Sequence, residues 1–345
     1  MPVEIASLSS LRLLPSLLLL LASCSAEEQS KDNADTSTDT SVDSNGDGSS
    51  GSGGSPDCIT FAGSGETPVC AEPATTTQPA AGPARDPSCG VSSKWVTSIS
   101  GTILDDAGAP VPCAKAQVCV RGGKPSRLTC LRPVTTAQDG TFTIPIGTEV
   151  QCMSSATLRL FAPSRPLATI YCGVDLAAAE GDITLADTGR LFRLRAPVNA
   201  SAFCDDNTAE SVSLDGGLTV DVQPSLLADP AGDLPQLSAA KVDPTAEGLC
   251  FLGAEAPAML YAFGPETDVA GDGFGFSLPN DLGLAAGATA NLFILGGLST
   301  TVGTATVEEG EWHLYGQGTV SVDGSRIVAE GVNGLPYLSW LGVAP

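Results

Sequence analysis

Apolar and polar positions divide the chain into three regimes. Leu13 to Leu21 form a short apolar run, broken by Pro15 and Ser16. A helix crossing a bilayer needs about 20 apolar residues, so this run is too short to span one. From 25 to 57 the chain is Ser, Thr, Asp, Asn and Gly with almost no apolar side chain. Such a segment cannot bury enough surface to offset its ordering entropy and is expected to stay disordered, with Gly48 to Ser55 as a flexible linker. Beyond 94, runs of period two alternate with Gly, Pro and Asp-Gly turn signals. That pattern predicts an all-β protein.

The strands can be read one by one. Val96 to Leu104 predicts a strand with Gly101 inside it, the mark of a bulge or a close backbone approach. Asp105-Asp106-Ala107-Gly108 predicts a hairpin turn. Ala116, Val118 and Val120 alternate as one strand face, and Asp139-Gly140 is a turn signal before alternating Phe142 and Ile144. Further on, strands are predicted at Leu218–Val222, Met259–Phe263, Leu292–Leu295, Trp312–Tyr315, Gly318–Val322 and Ile327–Glu330, with Asp323-Gly324 as a tight turn. Leu226 to Ala240 is rich in Pro and Ala and reads as a long loop, closed by a Cys204–Cys250 bridge. No repeat of solenoid period is present.

Charge and cysteine content add an address. Lys and Arg number 16 against 39 Asp and Glu, a net charge of −23. That excludes a nucleic-acid binder, which needs a basic footprint, and a basic patch for anionic lipid headgroups. The charge is uneven. Residues 94–190 hold nine basic and eight acidic side chains, whereas residues 191–345 hold four and nineteen, net −15. This shift predicts a boundary near Arg190–Pro197. Eleven cysteines argue for export to an oxidising compartment. Setting Cys24 aside leaves Cys58, Cys70, Cys89, Cys113, Cys119, Cys130, Cys152, Cys172, Cys204 and Cys250, an even set of disulfide candidates. Cys119 and Cys130 flank one loop and are expected to face each other. If Cys204 pairs with Cys250, parity requires at least one bridge from Cys58, Cys70 or Cys89 into the middle block, with Cys89 nearest.

Two resemblances follow from these residues. Leu21-Ala22-Ser23-Cys24 resembles the lipobox of bacterial lipoproteins. The resemblance implies a signal peptide over 1–23, a diacylglycerol on the Cys24 thiol and membrane attachment through it. Ser25, where an Asp often retains inner-membrane lipoproteins, implies the outer membrane of a Gram-negative envelope. Gly101, Gly108, Pro110, Ala114, Val118, Thr136, Asp139, Gly140 and Phe142 resemble the carboxypeptidase regulatory-like domain, a transthyretin-like β-sandwich. That family is an accessory β-module without catalytic residues of its own, so the resemblance implies a fold and no activity. The expected organisation is a lipidated Cys and linker over 24–57, a Cys-containing neck over 58–93, the β-sandwich over 94–194 and an acidic β-rich domain over 195–345. The segment from Glu311 to Trp340 also bears a slight resemblance to C-terminal β-modules of bacterial surface proteins.

Candidate chemistry is sparse. His313 is the single histidine and sits opposite Trp312 and Leu314 on a predicted strand, which reads as a strand-surface residue; no Gly-x-Ser-x-Gly elbow accompanies it, and one histidine rules out a His-rich zinc site. Gly296-Gly297 and Gly271–Gly275 lack the strand–loop–helix context and lysine of a phosphate loop. Asp43, Asn45, Asp47 and Gly48 match the start of a calcium loop, but its twelfth position is Gly54. Asp268 and Asp272 among glycines are a second weak calcium candidate. Paired carboxylates at Asp205-Asp206 and at Glu308, Glu309 and Glu311 leave open a hydrolase acting on extracellular glycans. The leading expectation is a non-enzymatic, tethered β-protein that binds an envelope protein or carbohydrate, or serves structurally, with no cofactor.

Overall fold

The strand-forming sequence sorts into two sheet systems in the computed structural model of the chain. The structure describes residues 87, 89–90, 92–122, 127–163, 165–176, 181–186, 188–195, 198–199, 209–227, 236–253, 256–298 and 300–345. The first system uses β1 (Lys94–Thr102), β2 (Lys115–Gly122), β3 (Arg127–Cys130), β4 (Thr141–Pro145), β5 (Ser155–Phe161), β6 (Ile170–Gly173) and β7 (Gly181–Thr184). One sheet has the order β7-β1-β4 and the other β3-β2-β5-β6. β7 runs parallel to β1; the other pairings named here are antiparallel.

Alternation explains why these two sheets stack. Val96 and Ile99 of β1 and Phe142 and Ile144 of β4 enter one core with Ala116, Val118 and Val120 of β2 and Leu158 and Leu160 of β5. Burying each large aliphatic or aromatic side chain stabilises the sandwich by roughly 1.5–3 kcal/mol. Gly101 makes room for its cross-strand partner on β4: a Cβ there would lie 3.1 Å from the Phe142 ring. The Asp105–Gly108 turn forms as the residue types require. Gly108 sits at φ +79° and its N–H donates to the Asp105 carbonyl at 2.9 Å. The Asp105 carboxylate accepts from the Ala107 and Ala109 N–H groups at 3.0 and 2.8 Å.

The second system comprises β8 (Glu210–Ser213), β9 (Thr219–Val222), β10 (Gln236–Val242), β11 (Met259–Asp268), β12 (Phe276–Pro279), β13 (Thr289–Leu295), β14 (Trp312–Val320), β15 (Arg326–Ala329) and β16 (Tyr337–Ala344). With the short strand Val198–Asn199 they form one ten-stranded sheet, ordered Val198–Asn199, β10, β11, β16, β13, β14, β15, β12, β9, β8. The sheet curls on itself. Val212 of β8 and Leu237 of β10, far apart in strand order, share one core. The turn after β8 lies against β10 and β11, where the Lys241 N–H donates to the Asp215 carboxylate at 3.0 Å and the Tyr261 hydroxyl to the Gly216 carbonyl at 3.2 Å.

Two expectations change here. Leu226 to Ala240 is not one long loop, because Gln236–Val242 forms strand β10, paired with β11 along five residues. Its small side chains give little strand signal alone; pairing supplies the order. Trp312–Tyr315 and the first three residues of Gly318–Val322 belong to one strand, β14, which ends at Val320 and is bent by a bulge where Leu292 faces Gly316 and Phe293 faces Leu314.

The two systems also share apolar packing. On the outward face of the curled sheet, Ala240 and Val242 of β10, Leu260 and Ala262 of β11, Leu295 of β13 and Trp340 of β16 join the core that contains the sandwich residues. This seam also holds a buried ion pair and several hydrogen bonds between the two systems.

Candidate functional site

One face of the β3-β2-β5-β6 sheet looks away from the sandwich core. The register aligns Gln117, Arg159 and Tyr171 in a row across β2, β5 and β6. Arg121 and Thr157 lie on the same face. Opposite them comes Glu266, in the irregular part of β11 between Ala262 and Thr267, where pairing with β16 shifts register. A bulge re-aims side chains, and this one accompanies a carboxylate turned toward the sandwich.

Glu266 is the centre of the seam. Its side chain is 8% exposed and that of Arg159 18%. The Arg159 Nη2 donates to Glu266 Oε2 at 2.7 Å, and the Tyr171 and Tyr337 hydroxyls donate to Oε1. The Leu298 N–H donates to the Tyr171 oxygen at 3.2 Å. The Arg159 guanidinium lies 4.2 Å from the Phe161 ring centroid, a cation–π contact. Burial opposes the Arg159 charge, but Glu266 and the neighbouring phenols hold its pKa above the ordinary value. Burial, reinforced by the Glu266 charge, pushes both tyrosines up, so each phenol remains a proton donor. Arg159, Tyr171 and Tyr337 together satisfy both carboxylate oxygens.

Gly296-Gly297 explains itself at this place. A Cβ on Gly297 would come within 2.9 Å of the Tyr337 ring, and one on Gly296 within 2.8 Å of Val307. The pair exists for close packing at the seam. The Gly297 N–H donates to the Thr300 hydroxyl at 2.8 Å, which fixes the loop.

Three further fastenings cross the seam. Arg121 meets Glu309 at 3.0 Å and Glu308 at 3.7 Å. The Trp340 Nε1–H donates to the Thr169 carbonyl at 2.7 Å, while its ring packs edge-on to Phe192 and tilted on Phe251. Cys172 on β6 is disulfide-bonded to Cys250, in the loop between β10 and β11.

The sequence candidates can now be placed. Cys119 and Cys130 are paired, directly opposite each other on β2 and β3. Cys89 is bonded to Cys152, and Cys113 is also disulfide-bonded. The expected Cys204–Cys250 bridge is corrected: the 243–253 loop folds onto the sandwich, which brings Cys250 to Cys172. Disulfides of this kind form in exported proteins. Cys24, Cys58, Cys70, Cys204, Asp205, Asp206 and the 43–54 calcium candidate lie outside the described residues. Glu308 and Glu309 are ion-paired to Arg121, while Glu311 is exposed just before β14. His313 faces Ile294 across β13 and β14, on the side opposite Trp312 and Leu314. Asp268 ends β11, and burial together with the Glu266 charge raises its pKa above the usual carboxylate value. Among the described residues, no group of three or more His, Cys, Asp and Glu side chains is placed to hold a metal ion. No helix among them is long and apolar enough to cross a membrane.

A surface pocket of about 420 Å³ lies elsewhere, lined in part by Lys241, Asp243, Met259 and Asp281. It contains none of the paired carboxylates named above. Sequence reasoning missed the Glu266 cluster. Its members are 178 residues apart at the extremes, from Arg159 to Tyr337, and the one available signal is a Glu directly after the apolar run Met259 to Pro265.

Neither a family profile nor a curated protein sequence matches the chain. Among solved structures, the shaft pilin SpaA from Lactobacillus rhamnosus GG, in a point-mutant crystal structure, aligns with 56% of this chain and 91% of its own. Identity is 9% and the TM-score 0.19. At that score the likeness transfers nothing.

Proposed function

We propose that this chain is a membrane-tethered envelope lipoprotein whose β-modules act by binding or by bearing structure and not by catalysis. In this reading the diacylglycerol sits on Cys24, the 25–57 tract is the spacer, and the neck over 58–93 leads into the two β-systems. The stacked sheets and the Asp105–Gly108 and Asp139–Gly140 turns support the carboxypeptidase regulatory-like resemblance. Outer-membrane sorting follows from the same resemblance-based reading of Ser25.

The observation that carries the non-catalytic part is the use of the acidic side chains at the seam. Glu266 and Glu309 are buried and bonded to Arg159 and Arg121. Glycoside hydrolysis needs two carboxyls free to exchange protons across a substrate cleft. Here Glu266 and Glu309 are instead engaged in ion pairs that hold two β-systems together. The test is direct. The full chain is incubated with purified envelope glycan, and released reducing ends are counted beside Glu308→Gln/Glu309→Gln. The proposal expects no release by either protein and a loss of thermal stability in the variant. Turnover that the variant abolishes would overturn it.

A further inference from the structure

We propose that the first half of β14 is a docking edge for an extended segment of a partner protein in which apolar side chains alternate with basic ones. The inference deepens the non-catalytic binding reading and rests on it. β14 runs from Trp312 to Val320, yet β15 pairs with it only at Thr319 and Val320. On its other side β13 pairs with it as far as Trp312. The backbone of Trp312 to Tyr315 therefore has no strand partner on the β15 side among the described residues. The turn Gly331–Asn333 occupies the neighbouring position, where the Asn333 side chain accepts from the Gln317 N–H at 3.1 Å. It closes the edge at Gly316 and Gln317 and leaves Trp312 to Tyr315 beyond it.

An open edge of this kind is a template for strand addition, in which main-chain hydrogen bonds give affinity and alternate side chains give specificity. Native edges are commonly guarded by Lys or Pro. The segment Glu311-Trp312-His313-Leu314-Tyr315-Gly316 contains neither. Its guard is the bulge at Tyr315, which leaves the residues before it regular. Leu314 is instead 52% exposed, and Val332 of the adjoining turn is 78% exposed; they are two of the three large hydrophobics exposed among the described residues. Phe293 faces Leu314 across the ladder and extends the same apolar face. That face continues the seam, where Trp312 and Leu295 pack against the sandwich.

Charge selects the occupant. Glu311 immediately precedes the edge and Glu330 immediately precedes the Gly331–Asn333 turn; both are exposed. The surrounding 191–345 block has a net charge of −15. A second copy of this chain would set these acidic residues against their own kind, so a partner strand with Lys or Arg between its apolar positions fits and a self-pair does not.

The probe is a synthetic decapeptide of alternating valine and lysine, with alternating valine and glutamate as its counterpart. Binding to the full mature chain is followed by anisotropy, and backbone protection by hydrogen exchange. The expected result is slowed exchange confined to residues 312–315 and weaker binding at high salt. Leu314→Lys should reduce affinity at least tenfold, while Val322→Lys, at an exposed hydrophobic in the Asp323-Gly324 hairpin, should leave it within twofold. Equal binding of both peptides, protection elsewhere, or self-association of the chain through the same amides would overturn the proposal. None of these readouts depends on lipidation or turnover, so failure here is distinguishable from failure of the tether or of the non-catalytic reading.

Discussion

Replacing Glu266 by Gln tests the seam at its centre. The substitution keeps size and shape, and the new amide oxygen still accepts from the phenols. It removes the counter-ion of Arg159, whose side chain is 18% exposed. Removing one member of a buried ion pair costs roughly 3–5 kcal/mol, because the remaining charge stays desolvated. With hydrogen bonds partly retained, about 3 kcal/mol is expected. For a folded body of this size, each kcal/mol shifts Tm by about 2–4 °C, so Tm should fall by roughly 6–12 °C. The assay is thermal unfolding by circular dichroism at neutral pH, with Arg159→Met and the double variant completing a cycle. If the pair acts as a unit, the double variant should lose much less than the sum of the singles, with a coupling of at least about 2 kcal/mol. Lys241→Met is the control: its partner Asp281 is 50% exposed and Lys241 36%, and screening limits such a pair to below about 1 kcal/mol. A Glu266→Gln loss no larger than that of Lys241→Met would refute the reasoning.

Other outcomes follow from the same structure. Cys172→Ala/Cys250→Ala opens a bridge spanning 78 residues. Loop-closure entropy sets the expected loss at up to about 4.5 kcal/mol, read by chemical denaturation. Burial pushes the Asp105 pKa up, but hydrogen bonds from Arg193, Ala109 and Ala107 outweigh it and hold it below 3.8. A depressed folded-state value means the stabilisation is complete above the unfolded pKa and is lost as pH falls through the folded one. Asp105→Asn should therefore flatten the stability profile below about pH 4, and an unchanged profile would contradict the assignment. Asp323, held at about 2 by the Ser321 hydroxyl and the Ser325 N–H and hydroxyl, acts in the same direction; Asp323→Asn should reduce the dependence between pH 4 and 2 in a titration of Tm, and an unchanged slope there would contradict the assignment.

Most of the fold was legible where local chemistry decides it. Alternating Phe142 and Ile144 after Asp139-Gly140 became β4 after a turn in which Gly140 has φ +76°. Asp105–Gly108 became the turn its residues demand. Legibility failed where tertiary contact decides. β10 is Gln-Leu-Ser-Ala-Ala-Lys-Val, whose small residues gain strand order only from β11. β16 is buried on both faces, so Tyr337–Ala344 shows no period of two and was not predicted. The same limit hid the site. Cys119 with Cys130 could be read because they sit across one hairpin, whereas Cys172 with Cys250 and Arg159 with Glu266 depend on how the curled sheet docks on the sandwich. Glu308 and Glu309 were visible as a pair, but their Arg121 partner lies 187 and 188 positions away.

The tether is the central claim about where this protein acts, and the mass of its mature N-terminus tests it most directly. The expected mature chain begins at Cys24 and bears a diacylglycerol on the thiol, lost in Cys24→Ser. An unmodified N-terminus at any other residue would contradict it.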